Sequence, residues 1–228
     1  KKFLYILLPL AIVLLIAVGG AAYGYFTAKS FTPNLTSLQQ TGSRLASAIQ
    51  SQDLIAAKTE SQTLRKQVDE LDSRYQKLRW TTRLPFLGVY PRDGQHAINA
   101  GKFLAKSVET LITSVEPYAD LLGFKTGVAT PSGQPKAQSI EDRIVFIAAT
   151  LDKISPDLDK IEVDMAEAQK ELNQIDEKRY PQNFAGKNVR TKIVEIKSAV
   201  SESTELLSQA KPLIKLLPDL LGNPNAKT

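Results

Sequence analysis

The stretch Ile140–Ile175, IEDRIVFIAATLDKISPDLDKIEVDMAEAQKELNQI, decides the fold. Its apolar residues, Ile140, Ile144, Ile147, Leu151, Ile154, Leu158, Ile161, Met165, Ala168, Leu172 and Ile175, alternate spacings of three and four and hold a seven-residue repeat through five heptads. That period puts them on one side of a long helix, and a stripe of this kind needs partner helices to cover it. A second stripe follows at Val189, Ile193, Ile196, Val200, Ser203, Leu207, Ala210, Ile214, Leu217 and Leu221. Only Tyr180–Gly186 links the two, so the spacing predicts an antiparallel helical hairpin over 140–222. Glu162, beside Ile161, is expected to face solvent.

Working upstream, Leu54, Ala57, Ser61, Leu64, Val68, Leu71, Tyr75 and Leu78 form one helical stripe. Ala97, Gly101, Leu104, Val108, Leu111, Val115, Tyr118 and Leu122 form another. These predict helical hairpins over 34–125 joined by a Pro/Gly turn near 84–94. Asp53 and Asp93 are candidate N-caps, Ser139-Ile140-Glu141-Asp142 resembles a capping box, and Gly123 and Gly222 sit where helices should stop. The heptad phase survives Glu116-Pro117 and Ser155-Pro156, so both are expected to kink a helix rather than end it. Residues 126–139 read as a flexible loop, and no stretch reads as a strand.

At the other end of the chain, Phe3–Phe26 runs for 24 residues without a charge. As a helix it would extend about 36 Å, enough for a hydrocarbon core of about 30 Å. Tyr5, Tyr23, Tyr25 and Phe26 lie near its ends, where amphipathic rings favour the headgroup level. A cleaved signal peptide is the rival reading, with Lys1-Lys2 leading and Gly20-Ala21-Ala22 as the cleavage site. The apolar run continues past Ala22, which favours a retained transmembrane helix over 3–26. Gly20 and Gly24 make a Gly-x-x-x-Gly pattern and are the candidates for close helix packing in the membrane. Residues 27–33 then form a juxtamembrane linker. Flanking charges, Lys1 and Lys2 against Lys29 and Arg44, barely decide orientation. The short basic N-terminus and the lack of cysteine place the bulk of the chain outside. The expected architecture is all-α: a single N-terminal transmembrane helix followed by an elongated antiparallel bundle with coiled-coil-like long helices. Residues 223–228 form a C-terminal tail, and both chain ends are expected to be cut from a longer protein.

Composition removes several kinds of chemistry. The 228 residues include no Cys, one His, one Trp and one Met, which excludes disulfides, thiol chemistry and the usual zinc sites. The net charge of +5 comes from 29 basic and 24 acidic residues spread along the chain, which speaks against a nucleic-acid surface. His96 follows Asp93-Gly94-Gln95 with no nucleophile in a recognisable arrangement, so a proton-carrying role has little behind it. The pairs Asp69–Glu70, Glu141–Asp142 and Asp176–Glu177 read as solvated helix faces. Trp80 reads as an anchor for the turn between helices before it reads as a stacking platform. Gly94 and Gly101 belong to no phosphate-cradling strand–turn–helix. No catalytic, cofactor-binding or metal-ligating residue is expected, and no cofactor.

Three further stretches carry a resemblance. They are Ala48–Ala57, in which a residue like Asp53 opens a second helix; the turn Trp80…Leu84-Pro85-Phe86-Leu87-Gly88; and Leu217-Pro218-Asp219-Leu220-Leu221-Gly222-Asn223-Pro224-Asn225-Ala226-Lys227-Thr228. Together with the membrane segment they resemble the N-terminal region of bacterial envelope proteins carrying the domain of unknown function 4012. In that family a β-rich continuation with a Gln-Asn…Glu…Arg…Gly-Gly motif follows, and this chain stops before it. The resemblance implies a location in the bacterial cytoplasmic membrane, single-pass, and supplies no site and no activity. The expected function is a membrane-anchored helical stalk or scaffold at the cell envelope, holding a downstream domain or a protein partner, with self-association as a further possibility. The alternatives are a helical-bundle ligand sensor and an accessory single-span subunit of a larger membrane complex.

Overall fold

The computed structural model describes residues 31, 33–84, 88–119, 140–183 and 188–220, with side chains described outside 140–152, 213–215 and 217–220. The segments 3–26 with Gly20 and Gly24, 126–139 and 223–228, together with Gly123, Ser139 and Gly222, lie outside the described residues. The chain divides into two units, Lys1–Gln40 and Thr41–Thr228. In the first, residues 33–40 are helical. The described residues from Thr41 onward belong to the second.

Helix is the dominant structure and no strand occurs among the described residues: α1 (33–50), α2 (Leu54–Gln76), α3 (Val89–Val115), α4 (Ile140–Asn173) and α5 (Val189–Leu220). Short 3-10 turns lie at Arg79–Arg83, Glu116–Tyr118 and Glu177–Arg179. Among the described residues no helix is long and apolar enough to cross a membrane.

Local chemistry sets most of the boundaries. At the end of α1 the Gln52 N–H donates to Ile49 O at 3.0 Å and the Asp53 N–H to Ala48 O at 2.9 Å. Gln52 itself takes the left-handed conformation, φ 58. This is a Schellman stop with glutamine where glycine is usual. Asp53 then caps α2, its Oδ1 accepting from the Ala56 N–H at 2.9 Å, as expected. Gly88 starts α3: a Cβ there would lie 2.3 Å from Thr82 O and 2.7 Å from Leu84 O, so only glycine lets the turn close. Pro156 sits inside an unbroken α4, whereas Pro117 acts differently from expectation, since α3 tightens into 3-10 at Glu116.

Each helix packs chiefly on its neighbour in the chain, α2 on α3, α3 on α4 and α4 on α5. Interhelical bonds fix the directions. Lys58–Glu116, Arg65–Glu109 and Lys102–Asp72 join α2 to α3; Ser114–Asp157, Lys106–Asp164 and His96–Glu171 join α3 to α4. Lys211–Glu162, Gln169–Ser201 and Lys197–Glu177 join α4 and the turn after it to α5. In every set one number rises as the other falls, so all three pairs are antiparallel. Glu162 thus bonds α5 rather than facing solvent freely.

Helix α3 lies between α2 and α4, and this departs from its expected single stripe. Ile98, Ala105, Ile112 and Ala119 are buried at seven-residue spacing, and so are Asp93, Ala100, Ser107 and Ser114. At about 100° per residue these two rows lie on nearly opposite faces of the helix. Ile112 and Ala119 pack with Leu45, Ala48, Leu54 and Ala57. Ala100 packs with Ala168, Leu172, Ile175 and Val200. The expected stripe falls between the rows, on an edge where Leu111 is 45% exposed. Because the second row is made of small and polar residues, a hydrophobic count misses it.

The α2 and α4 stripes lie where expected: Leu54, Ala57, Ser61, Val68 and Leu71 are buried on one, Ile154, Leu158, Ile161, Ala168 and Leu172 on the other. On α5 only Val200 is buried in the described part, while the expected core positions Ile196 and Ser203 are exposed. The helix packs chiefly on α4, so a narrow strip suffices.

Candidate functional site

Among the described residues a row of polar contacts follows the α3–α4 interface and the turn beyond it. Asp157, Asp164 and Glu171 recur every seven residues on α4, so each returns to the same side of the helix. Asp157 Oδ2 accepts from Ser114 Oγ at 2.6 Å, Asp164 Oδ1 from Lys106 Nζ at 2.9 Å, and Glu171 Oε1 from Asn99 Nδ2 at 3.3 Å. His96 Nδ1 stands 2.6 Å from Glu171 Oε2. A carboxylate only accepts, so the Nδ1–H is the donor. Hydrogen bonds from Lys160 and Ser114 hold the Asp157 carboxyl below its ordinary range.

At the far end of the seam Asp93 is buried, 3% exposed. Its Oδ1 accepts from Arg179 Nη1 at 3.2 Å and its Oδ2 from the Tyr180 hydroxyl at 3.1 Å. Asp93 is therefore no cap for α3; it lies within the helix and ties it to the turn after α4. Arg190 closes the same turn by donating to Tyr180 O at 2.9 Å through Nε and at 2.6 Å through Nη2. Tyr90 meets Tyr180 edge to face, centroids 5.6 Å apart. Burial, and then the Asp93 carboxylate, push the phenol of Tyr75 up to about 12 and raise that of Tyr180 further. The Tyr75 hydroxyl donates to Pro91 O at 2.9 Å.

Two open clefts flank this seam. One of ≈ 430 Å³ is lined by Arg79, Arg92, His96, Gln76, Gln95 and Asn99, with Tyr75, Thr82 and Pro91. The other, ≈ 320 Å³, mixes Arg65, Lys102 and Lys106 with Asp69 and Glu171. No group of three or more His, Asp or Glu suited to a metal ion occurs among the described residues. An imidazole held by a carboxylate is half of a general-base arrangement, and among the described residues no hydroxyl is bonded to that ring.

Of the residues singled out in the sequence, Asp53 caps, His96 joins the seam, and Trp80 lies in the 3-10 turn at 52% exposure. The seam partners Lys106, Asp164, Glu171, Arg179 and Tyr180 were not legible as a group. The seven-residue recurrence of acids on α4 was the signal available. The chain matches no protein-family model, no curated protein and no solved structure.

Proposed function

We propose that the chain is a membrane-anchored spacer: Phe3–Phe26 holds it in the bacterial cytoplasmic membrane, and the helices after it stand outside as a stiff scaffold for a partner or a downstream domain. The observation that supports this most is the register of the α3–α4 seam. Three bonding points between α3 and α4, at Ser114, Lys106 and His96, and a fourth from Asp93 to the turn after α4, hold two long helices against sliding, which suits an element whose job is to keep a distance. The charge-free N-terminal segment and the resemblance to envelope proteins supply the location.

The chain has no cysteine, so single cysteines make a direct test. Lys2→Cys and Gln52→Cys chains expressed in bacterial cells are treated with a membrane-impermeant maleimide, and the membranes are washed with alkaline carbonate. The proposal expects the chain to stay with the membrane, Gln52→Cys to label in intact spheroplasts, and Lys2→Cys to label only after permeabilisation. Release into the carbonate wash would remove the anchor, and the reverse labelling pattern would remove the orientation.

A further inference from the structure

The cleft of ≈ 430 Å³ between the end of α2 and the start of α3 carries an inference independent of the spacer reading. Two of its lining side chains, Arg79 and Arg92, are basic, and none of the lining is a carboxylate. Among the described residues neither arginine is in an ion pair; Arg92 Nε donates only to Gly88 O, at 3.2 Å. The carboxylates bonded to the lining already have partners. Asp72 accepts from Gln76, Gln95 and Lys102, and Glu171 from His96 and Asn99. Arg92 also stands in the first turn of α3, a turn with no acidic residue and no capping side chain. Two guanidinium groups that are in no ion pair among the described residues thus line one cleft that has no carboxylate in its lining.

We propose that this cleft binds a phosphate monoester. Arg79 and Arg92 supply forked donors that match phosphate oxygens. Of the amides that line the same space, Gln76 and Gln95 spend their N–H groups on Asp72, Gln95 and Asn99. The Gln76 oxygen and one N–H of Asn99 stay outside the bonds among the described residues and can meet hydroxyls of the attached body, whether sugar or lipid glycerol.

Trp80 is the one tryptophan of the chain and follows Arg79 in the sequence, so its fluorescence is the readout. The full chain in a non-ionic detergent is titrated at constant ionic strength with inorganic phosphate, glucose 6-phosphate, glucose, and micelles doped with phosphatidic acid. The proposal expects a saturable change with inorganic phosphate and with at least one esterified probe, and none with glucose. A stronger response to glucose 6-phosphate identifies a soluble ligand, and one to phosphatidic acid a lipid headgroup. Arg79→Ala, which removes no bond seen in the structure, and Arg79→Ala with Arg92→Ala should weaken binding, the double variant by at least about tenfold. Arg83→Ala, in the same 3-10 turn but outside the lining, should not. A response that does not saturate, or that survives the double variant unchanged, overturns the proposal. Should Arg92→Ala disturb the start of α3, the Arg79→Ala chain alone decides.

Discussion

His96 and Glu171, 75 positions apart in the chain, meet across α3 and α4 with Nδ1 and Oε2 separated by 2.6 Å. Both side chains are partly open to water, at 34% and 23% exposure, so their pairing is screened. One heptad away on α4, Asp164 is almost enclosed while its partner Lys106 reaches out to solvent. The same seam therefore holds one weak and one strong dependence. Glu171→Ala should cost about 1 kcal/mol, and Lys106→Ala about 3 kcal/mol, because it strands a buried carboxylate. Replacing both Lys106 and Asp164 with leucine should recover most of that loss. Chemical denaturation of the four chains checks the order, and equal losses for the two single variants would contradict it.

Titration should destabilise the fold at both ends of the pH scale. Tyr75, at about 12, and Tyr180 stay protonated when folded at pH values where an unfolded tyrosine, near 10, has ionised. Their contribution is complete below about pH 10 and drains away as pH rises toward 12. Asp72 moves the other way. Burial alone would raise it, but bonds from Gln95, Lys102 and Gln76 outweigh burial and hold it below 3.8. Its contribution, with that of Asp157, is complete above about pH 4 and lost as pH falls. The melting midpoint should have an acid and an alkaline limb, and Tyr180→Phe should flatten the alkaline one. An alkaline limb unchanged in both Tyr180→Phe and Tyr75→Phe would show that these phenols do not set it.

Three positions should respond to glycine chemistry in opposite senses. A Cβ on Gly42, in α1, meets nothing within 4 Å, so Gly42→Ala should stabilise by about 0.5–1 kcal/mol. A Cβ on Gly94 would fall 2.1 Å from the Tyr75 hydroxyl. Gly94→Ala should displace that ring from Pro91 and cost about 1–3 kcal/mol despite the better helix former. Gln52→Gly should gain about 1 kcal/mol by relieving the left-handed stop of α1. Thermal melts rank the three, and a stable Gly94→Ala chain would mean that Tyr75 is not seated where the structure places it.

Much of the fold could be read from periodicity, because α2 and α4 each present one apolar face, and a single face is what a period of 3.6 reports. The reading failed where a helix has two covered faces. On α3 the face toward α4 is Asp93, Ala100, Ser107 and Ser114, residues that no apolar pattern selects. Small side chains there let the helices approach, Ser114 bonds Asp157 on α4, and Asp93 bonds the turn after it. Asp93 looked like a cap because it precedes an apolar run, but Gly88 and the 3-10 turn had already started the helix. The cleft was illegible for a different reason: Arg79 and Arg92 come together only through the turn between α2 and α3.

Helix α3 is packed on two opposite faces, and adjacent residues separate that from a one-stripe helix. Ile112 is 4% exposed against α2, while Leu111, the residue a single stripe would bury, is 45% exposed. The decisive measurement is the unfolding free energy of Ile112→Asp beside that of Leu111→Asp in the full chain. Ile112→Asp puts an unpaired carboxylate into the core and should remove several kcal/mol, a large part of a typical total of about 5–15 kcal/mol. Leu111→Asp should shift the midpoint by no more than about 1 kcal/mol. The reverse order, or equal losses, would mean that α3 is phased as a one-faced helix and that the bundle described here is wrong.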